Sequence, residues 1–211
     1  MDKFILFDIG ANLGTDSVSR TQDNANVETW AFEPVPEFYQ HITRSTESFR
    51  DRYNLYPLAI SDYNGTSTFY VATSLIGFGN GASSLYPFVD HLNETWPGRI
   101  DLQTEKEITV KVSRLDTWYK EKQLNLSKID YFHCDTQGSD LRVLKGMGDL
   151  VYLIQEGVVE CARDEAAKLY AENHTVEEMM DFLNDNGFIV VNQTSNDVWS
   201  NELNLYFRKK S

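Results

Sequence analysis

The segment that most constrains the fold is an apolar run, Phe4 to Phe7, together with the turn that follows it. The run is continuous rather than alternating, which is typical of a strand buried on both faces of a parallel sheet. The turn reads Asp8-Ile9-Gly10-Ala11-Asn12-Leu13-Gly14, and its glycines let the backbone reverse tightly and approach a ligand closely. Residues 15–20 then have the character of a helix. The chain therefore opens as a buried strand, a tight turn and a helix.

This alternation of strands and helices continues along most of the chain. Further strands are predicted at 28–32, 53–60, 129–134 and 158–161, and helices at 36–49, at 140–144 and from Thr175 to near Asn186. Residues 188–191 and 204–207 are predicted to form a closing hairpin. The pattern predicts an α/β fold with a doubly wound, mainly parallel sheet. Ligands of such sheets bind beyond the carboxyl ends of the strands, so the polar residues at those ends are the candidates for function.

Residues 62–112 interrupt the alternation and are interpreted as an inserted hairpin with a long loop. Asn64-Gly65 is a hairpin turn, 66–72 and 108–112 alternate as half-exposed strands do, and 77–81 is a glycine-rich loop. The irregular stretch between the strands contains four aromatic residues: Phe78, Tyr86, Phe88 and Trp96. We expect this stretch to form a substrate lid, and a small satellite core is the alternative.

Composition limits the partners of the chain. Its 211 residues suit a single domain, 1–211, and the formal net charge of -13 argues against nucleic-acid and anionic-membrane partners. No apolar run approaches the roughly 20 residues that a membrane-spanning helix needs, so no membrane insertion is expected. The N-terminus does not read as a signal peptide, and the two cysteines suit a reducing compartment. A cytoplasmic location is the expectation.

Glu33 follows the second predicted strand and lies 19 residues beyond Gly14. An acid at this spacing is typical of nucleotide-binding folds, where it grips the hydroxyls of a ribose. A carboxylate has two acceptor oxygens for the paired 2′ and 3′ hydroxyls. The turn and the acid together favour an adenosine-bearing cofactor. The alternative is that Glu33 is merely a solvated acid before a proline.

Further ionisable side chains come at the ends of two later strands. Asp135 follows the strand 129–134, with His133 before it and Asp140 after it, and Glu160 lies in the strand 158–161. Asp135 is the first candidate for a general base and His133 the second, with Glu160 as their orienting partner. Asp135, Asp140 and Glu160 also offer the oxygen ligands that Mg²⁺ or Mn²⁺ prefers. The alternatives are that Asp140 caps the next helix and that His133 is a satisfied buried histidine.

In the order of these segments the chain resembles the FkbM-type family of S-adenosylmethionine-dependent class I methyltransferases. The resemblance rests on the first turn, on 32–36, Ala59, Gly65, 83–85, 115–116 and 129–130, on Asp135-x-x-Gly138-x-Asp140, and on 143–146 and Glu160. It departs from the family's usual pattern at His133, where the family has lysine, and at Gln137 and Asp140, where the family has glutamates. It implies a Rossmann-like, seven-stranded sheet whose last strand is inserted antiparallel. The implied cofactor-site residues are Asp8, Gly10, Asn12, Gly14, Glu33, Pro34, Ser61 and Asp135.

The resemblance also implies O-methylation of a hydroxyl on a sugar or glycan, for example a deoxyhexose such as rhamnose. Three alternatives stand beside it: a methyltransferase of a small natural product, a nicotinamide-dependent oxidoreductase, and a non-catalytic binding module. The oxidoreductase is disfavoured because the turn lacks the usual Gly-x-Gly-x-x-Gly spacing. Because the first strand begins almost at Met1, we expect a domain cut from a longer polypeptide, with glycosyltransferase domains as covalent partners. The alternative is a minimal enzyme with an open acceptor site.

Overall fold

The computed structural model describes residues 3–73, 81–195 and 197–210. In these ranges the strands are β1 Phe4–Ile9, β2 Val27–Phe32, β3 Tyr53–Tyr56, β4 Ala59–Ile60, β5 Gly65–Ala72, β6 Thr104–Ser113, β7 Ile129–Cys134, β8 Ile154–Ala162, β9 Phe188–Ser195 and β10 Glu202–Lys209. The α-helices are α1 Thr15–Asp23, α2 Pro36–Ser45, α3 Leu92–Thr95, α4 Leu115–Glu121, α5 Asp140–Gly146 and α6 Val176–Asp185. None of these helices is both long and apolar enough to cross a membrane.

The main sheet has seven strands in the order β3-β2-β1-β7-β8-β10-β9. The pairs β3–β2, β2–β1, β1–β7 and β7–β8 are parallel, whereas β10 runs antiparallel to both of its neighbours, β8 and β9. This arrangement confirms the predicted doubly wound sheet with an inserted antiparallel strand, and also the closing hairpin. The strand order reverses between β1 and β7, which is where such sheets bind ligands.

An aromatic core fixes the sheet against the helices on one of its faces. Trp118 of α4 is buried and makes edge-to-face contacts with Phe7, Trp30 and Phe32 from the first two strands. Aromatic pairs of this geometry stabilise by about 0.5–1.5 kcal/mol each beyond the area that they bury. Helices α5 and α6 extend the same core towards β10. The carboxyl ends of β1, β2 and β7 are thereby held rigidly beside one another.

The predicted strand 53–60 is wrong in one respect, because it is two strands in different sheets. Pro57 separates β3, which joins the main sheet, from β4, which pairs in parallel with β6 of a second sheet. Proline has no backbone N–H, so it cannot continue a ladder inside a sheet. β5 pairs antiparallel with β6, as expected for the inserted segment. The hairpin turn predicted at Asn64-Gly65 is wrong, because β4 and β5 lie on opposite sides of β6 and do not pair with each other.

Aromatic residues of the inserted loop pack mainly against the protein itself. Trp96 is almost fully buried beside Leu102, Leu169 and Tyr170, and Phe88 stacks on the Tyr170 ring. These contacts form the satellite core that was the alternative to a lid. Tyr86 remains half-buried, and Phe78 with the glycine-rich loop up to Asn80 lies outside the described residues.

Candidate functional site

A cleft opens at the carboxyl edge of the main sheet. Its polar lining comes mainly from strand ends and includes Asn12, Glu33, Ser83, Asp135, Thr136, Gln137 and Ser139, beside the backbone of Gly10. Its apolar lining comes largely from α2 and the second sheet and includes Val35, Phe38, Ala59, Ile60, Phe69 and Leu85. The cleft therefore has one polar end and one apolar end.

The first turn brings its backbone close to the strand-end loop after β7. Gly10 and Asn12 have φ values of +84° and +51°, in the left-handed region, and the Gly10 and Ala11 N–H groups both donate to the Phe32 carbonyl. A Cβ atom at Gly10 would lie 2.0 Å from the carbonyl oxygen of Asp135. Only glycine fits at this position.

Gly10→Ala is therefore expected to destabilise the protein by more than about 3 kcal/mol, because the overlap adds to the left-handed backbone cost of roughly 1–2 kcal/mol. Gly187 is a matched control, since its φ is +83° and nothing lies within 4 Å of a Cβ there. Gly187→Ala should lower the free energy of unfolding only by the left-handed backbone cost. Urea unfolding of both variants measures the difference, and equal losses would contradict the steric argument.

Glu33 joins the first two strand-end loops. Its Oε2 accepts from the Asn12 N–H at 2.7 Å and its Oε1 accepts from the Val35 N–H at 2.7 Å. Burial raises the pKa of Glu33 to about 8, the charge of Asp8 adds to the rise, and the two N–H donors oppose it. Each carboxylate oxygen has a second lone pair for another donor. Glu33 thus both shapes the cleft and can accept a ligand's hydroxyl groups.

Asp135 and Glu160 are brought together by the side-chain amide of Gln137. Gln137 Nε2 donates to Asp135 Oδ1 at 2.6 Å and to Glu160 Oε2 at 2.8 Å. Burial raises the pKa of Asp135, while the Gln137 hydrogen bond and the nearby His133 lower it. Asp135 lines the cleft, and Glu160 lies buried behind it.

The expected cation site of Asp135, Asp140 and Glu160 is not formed. Asp140 Oδ2 accepts from the backbone N–H and the hydroxyl of Thr136, and its Oδ1 accepts from the Glu160 N–H. Both of its oxygens therefore accept hydrogen bonds that tie the loop after β7 to β8. Across 3–73, 81–195 and 197–210, no group of three or more histidine, cysteine or acidic side chains is arranged to hold a metal ion. Asp140 is also not a helix cap, because Ser139 occupies the N-cap position.

His133 does not face the cleft. Its Nδ1 lies 2.8 Å from Oδ1 of the buried Asp8, and both residues line a separate small pocket with Asp16, Arg20 and Tyr131. The register of the sheet pairs His133 with Asp8. The two positions predicted as a second base and a cofactor contact therefore form a pair with each other.

The pKa of His133 rises to about 9, because the hydrogen bond and charge of Asp8, with the charges of Asp135 and Asp140, outweigh burial, which lowers it. The pair stabilises the folded protein fully at pH values below about 6.5, the pKa of histidine in the unfolded chain. This stabilisation is lost as the pH rises towards 9. Asp8→Asn is expected to cost about 2 kcal/mol at pH 6 and much less at pH 9, after allowing for the partly exposed ring. Urea unfolding at both pH values measures this.

Asp16→Asn is the matched control for that experiment, because Asp16 lines the same pocket but is exposed. It should change the stability by a few tenths of a kcal/mol at both pH values. An Asp8→Asn loss that is the same at pH 6 and pH 9 would rule out a protonated His133 as its partner.

Of the remaining predicted site residues, some line the cleft and others lie outside it. Pro34 lines the cleft, whereas Gly14 and Ser61 do not. Gly14 starts α1 with φ +69°, and the Ser61 hydroxyl lies 3.3 Å from Asp62 Oδ1. The apolar wall and Gln137 were not predicted as site residues. The alternation of 66–72 was the one signal for the wall, since it marks Phe69 as an inward-facing residue of the hairpin.

Sequence comparison gives a match to a family model and a match to a curated relative. The family model described as the methyltransferase FkbM domain matches residues 8–190. The 2-O-methyltransferase NoeI of Sinorhizobium fredii (strain NBRC 101917 / NGR234) is 31% identical over 147 residues, which cover 67% of this chain and 56% of that protein. The chain thus spans about half the length of the curated relative that it matches.

Solved structures with the same fold include two methyltransferases. Methyltransferase FkbM from Methylobacillus flagellatus KT has a TM-score of 0.56 at 12% identity, covering 98% of this chain and 44% of that one. Magnesium protoporphyrin IX methyltransferase (ChlM) from Synechocystis PCC 6803, solved with bound SAM, has a TM-score of 0.52 at 12% identity, covering 99% and 71%. At these identities the likeness concerns the fold alone. With the family match over most of its length, the chain belongs to the FkbM methyltransferase family.

Proposed function

We propose that the protein transfers a methyl group from S-adenosylmethionine to a hydroxyl of a sugar or glycan. The observation that carries this proposal is the cleft itself. It has an acid suited to ribose, Glu33, at the end of β2 and a candidate general base, Asp135, at the end of β7. A shared cleft is what methyl transfer requires, because donor and acceptor must meet in line.

The residues of the cleft fit S-adenosylmethionine. Asn12 Oδ1 is buried and has no hydrogen-bond partner among the described residues, so it can accept from the ammonium of the methionine part. The second lone pairs of the Glu33 carboxylate suit the two ribose hydroxyls. The apolar wall of Val35, Phe38 and Phe69 suits the flat adenine ring.

Several residues have distinct roles in the proposed reaction. Bound S-adenosylmethionine supplies an electrophilic methyl group on a sulfonium. A sugar hydroxyl is a poor nucleophile until its proton is removed, and Asp135 accepts that proton as the general base. Glu160 and Gln137 hold Asp135 in position from behind. Asn12 and Glu33 orient the donor.

The comparisons support this assignment in two ways. The relative NoeI is named a 2-O-methyltransferase, which suggests an oxygen acceptor. Structures of ChlM with bound SAM and with bound SAH share the fold of this chain, which supports the same cofactor here. The sugar acceptor rests on the sequence resemblance.

A methyl-transfer assay over a panel of sugars and glycans tests the proposal. Formation of S-adenosylhomocysteine and of a methylated sugar is expected for at least one neutral acceptor. The same assay with EDTA is expected to give an unchanged rate, because protein donors already satisfy the Asp140 carboxylate and bridge Asp135 to Glu160. Calorimetry should detect binding of S-adenosylhomocysteine. Failure to bind S-adenosylhomocysteine would contradict the proposed cofactor. Binding without methyl transfer to any sugar would contradict the proposed class of acceptor.

A further inference from the structure

Gln137 lies at the centre of the polar network beside the cleft, and the sequence assigned it no role. Its Nε2 donates to carboxylates that belong to two different strand ends, those of Asp135 and Glu160. Its Oε1 accepts from the Tyr170 hydroxyl at 2.6 Å. Its backbone carbonyl accepts from the Ser84 hydroxyl at 2.6 Å. The side chain of Gln137 therefore joins the loop after β7, β8 and the loop that holds Tyr170, and its backbone adds the inserted segment.

The orientation of the Gln137 amide is fixed by chemistry. Two carboxylates can only accept hydrogen bonds, so the NH₂ group must face them. The Tyr170 hydroxyl has one proton and two acceptors, Gln137 Oε1 at 2.6 Å and the Ala82 carbonyl at 3.0 Å, and the shorter distance favours donation to Oε1. A flipped amide would set its oxygen against both acids. Tyr170 is fully buried, so it holds this orientation rigidly.

The backbone of Gln137 is held in a costly conformation. Its φ of +54° lies in the left-handed region, which is unusual for a residue other than glycine. Conformations of this kind cost about 1–3 kcal/mol and persist only where the surroundings enforce them. The next residue is glycine and packs against the Tyr170 ring, so the strained turn delivers the amide to the two acids.

We propose that Gln137 is a positioning residue that holds the Asp135 carboxylate as an ionised base beside Glu160. The proposal rests on the proposed function, since it gives Asp135 the role of base. Burial and the nearby acids Asp8, Asp140 and Glu202 favour the protonated form of Asp135, and the charge of His133 opposes them. Glu160 adds a carboxylate that shares the same NH₂ group, so an ionised Asp135 needs a hydrogen-bond donor. The Gln137 NH₂ group is that donor. It leaves Asp135 Oδ2 for the acceptor hydroxyl.

Gln137→Met tests this role, because methionine has a similar volume but no hydrogen-bond donor. The pKa of Asp135 is expected to rise by about one pH unit, the cost of one hydrogen bond to a charged group. Carboxyl-detected NMR of ¹³C-aspartate-labelled protein measures it, with the Asp135 signal assigned as the one missing from Asp135→Asn. The acidic limb of the kcat profile should move to higher pH by the same amount. If Gln137 only supported the fold, replacing it would lower the melting temperature but would change neither the pKa of Asp135 nor the acidic limb of the kcat profile.

Gln123 provides a matched control, because its φ is +53° but its side chain is exposed. Gln123→Met should leave the pKa of Asp135 and the kcat profile unchanged. Tyr170→Phe removes the donor that orients the amide. It should shift the pKa of Asp135 and the kcat profile in the same direction as Gln137→Met, but by a smaller amount. This second variant tests the proposal even if Gln137→Met does not fold.

An unchanged pKa of Asp135 in folded Gln137→Met or Tyr170→Phe protein would overturn the proposal. The NMR titration needs no turnover. If the wild type methylates no acceptor, the proposed function fails while the role of Gln137 is still decided.

Discussion

Replacing Glu33 with alanine is expected to abolish measurable binding of S-adenosylhomocysteine, a loss of at least about 100-fold in affinity. The change removes the acceptor for the ribose hydroxyls, and a buried polar group left without its partner costs about 1–3 kcal/mol. It also leaves the Asn12 and Val35 N–H groups without their acceptor, so both loops of the cleft lose their connection. Isothermal titration calorimetry measures the affinity. Circular dichroism verifies that the variant is folded.

Two controls sharpen this experiment. Glu37→Ala removes an exposed glutamate four residues away, which pairs with Lys106, and should leave the affinity unchanged. Glu33→Gln keeps the size of the side chain but cannot ionise. If folded Glu33→Ala protein bound S-adenosylhomocysteine with unchanged affinity, Glu33 would not be part of the cofactor site.

The affinity of the wild type should also depend on pH. Hydroxyl donors favour the ionised carboxylate, so binding lowers the pKa of Glu33 from its value of about 8 in the free protein. Affinity is therefore expected to rise by up to about tenfold per pH unit below pH 8 and to level off above it. Glu33→Gln should bind weakly and without this slope.

The second large effect is expected at Asp135. Asp135→Asn should reduce kcat by about 10² to 10⁴-fold, the usual contribution of a general base, while S-adenosylhomocysteine still binds. Asparagine keeps the shape of the side chain but does not accept a proton at neutral pH. Steady-state kinetics and calorimetry on the same preparation separate the two effects.

Stability gives an independent test of the same variant. The charge of Asp135 helps to raise the pKa of Asp140 to about 6 and that of Glu202 to about 8, although burial is the larger cause for both. Removing that charge relieves repulsion among buried acids, so the variant should be at least as stable as the wild type near pH 7. A folded, stable variant with full activity would exclude Asp135 as the base.

Much of the fold follows from local patterns in the sequence. The continuous apolar strands and the turn after Ile9 predict the parallel half of the sheet, because strands buried on both faces leave no polar alternation. The division of 53–60 was missed because Pro57 ends a ladder without changing the apolar pattern around it. Helix α4, Leu115–Glu121, was missed as well.

The candidate site was predictable only where residues follow strand ends. Glu33 and Asp135 were found by this rule and both line the cleft. His133 was placed wrongly because it lies two residues before Asp135, about 7 Å back from the sheet edge, where it meets Asp8. The Gln137 bridge joins residues 33 positions apart in the sequence, from Gln137 to Tyr170, and no local spacing signals it.

The place of β10 bears on how the polypeptide is made. β8, which carries Glu160, has no direct ladder with β9, and both pair instead with β10, which comes after them in the sequence. During synthesis, the earlier strands emerge before β10, whereas a domain folds as a unit and so needs all of its strands. The edge beside Glu160 stays unpaired until Glu202–Lys209 has left the ribosome. A nascent chain stopped before that point would present an open strand edge to its neighbours, so this interval is when chaperone protection matters most.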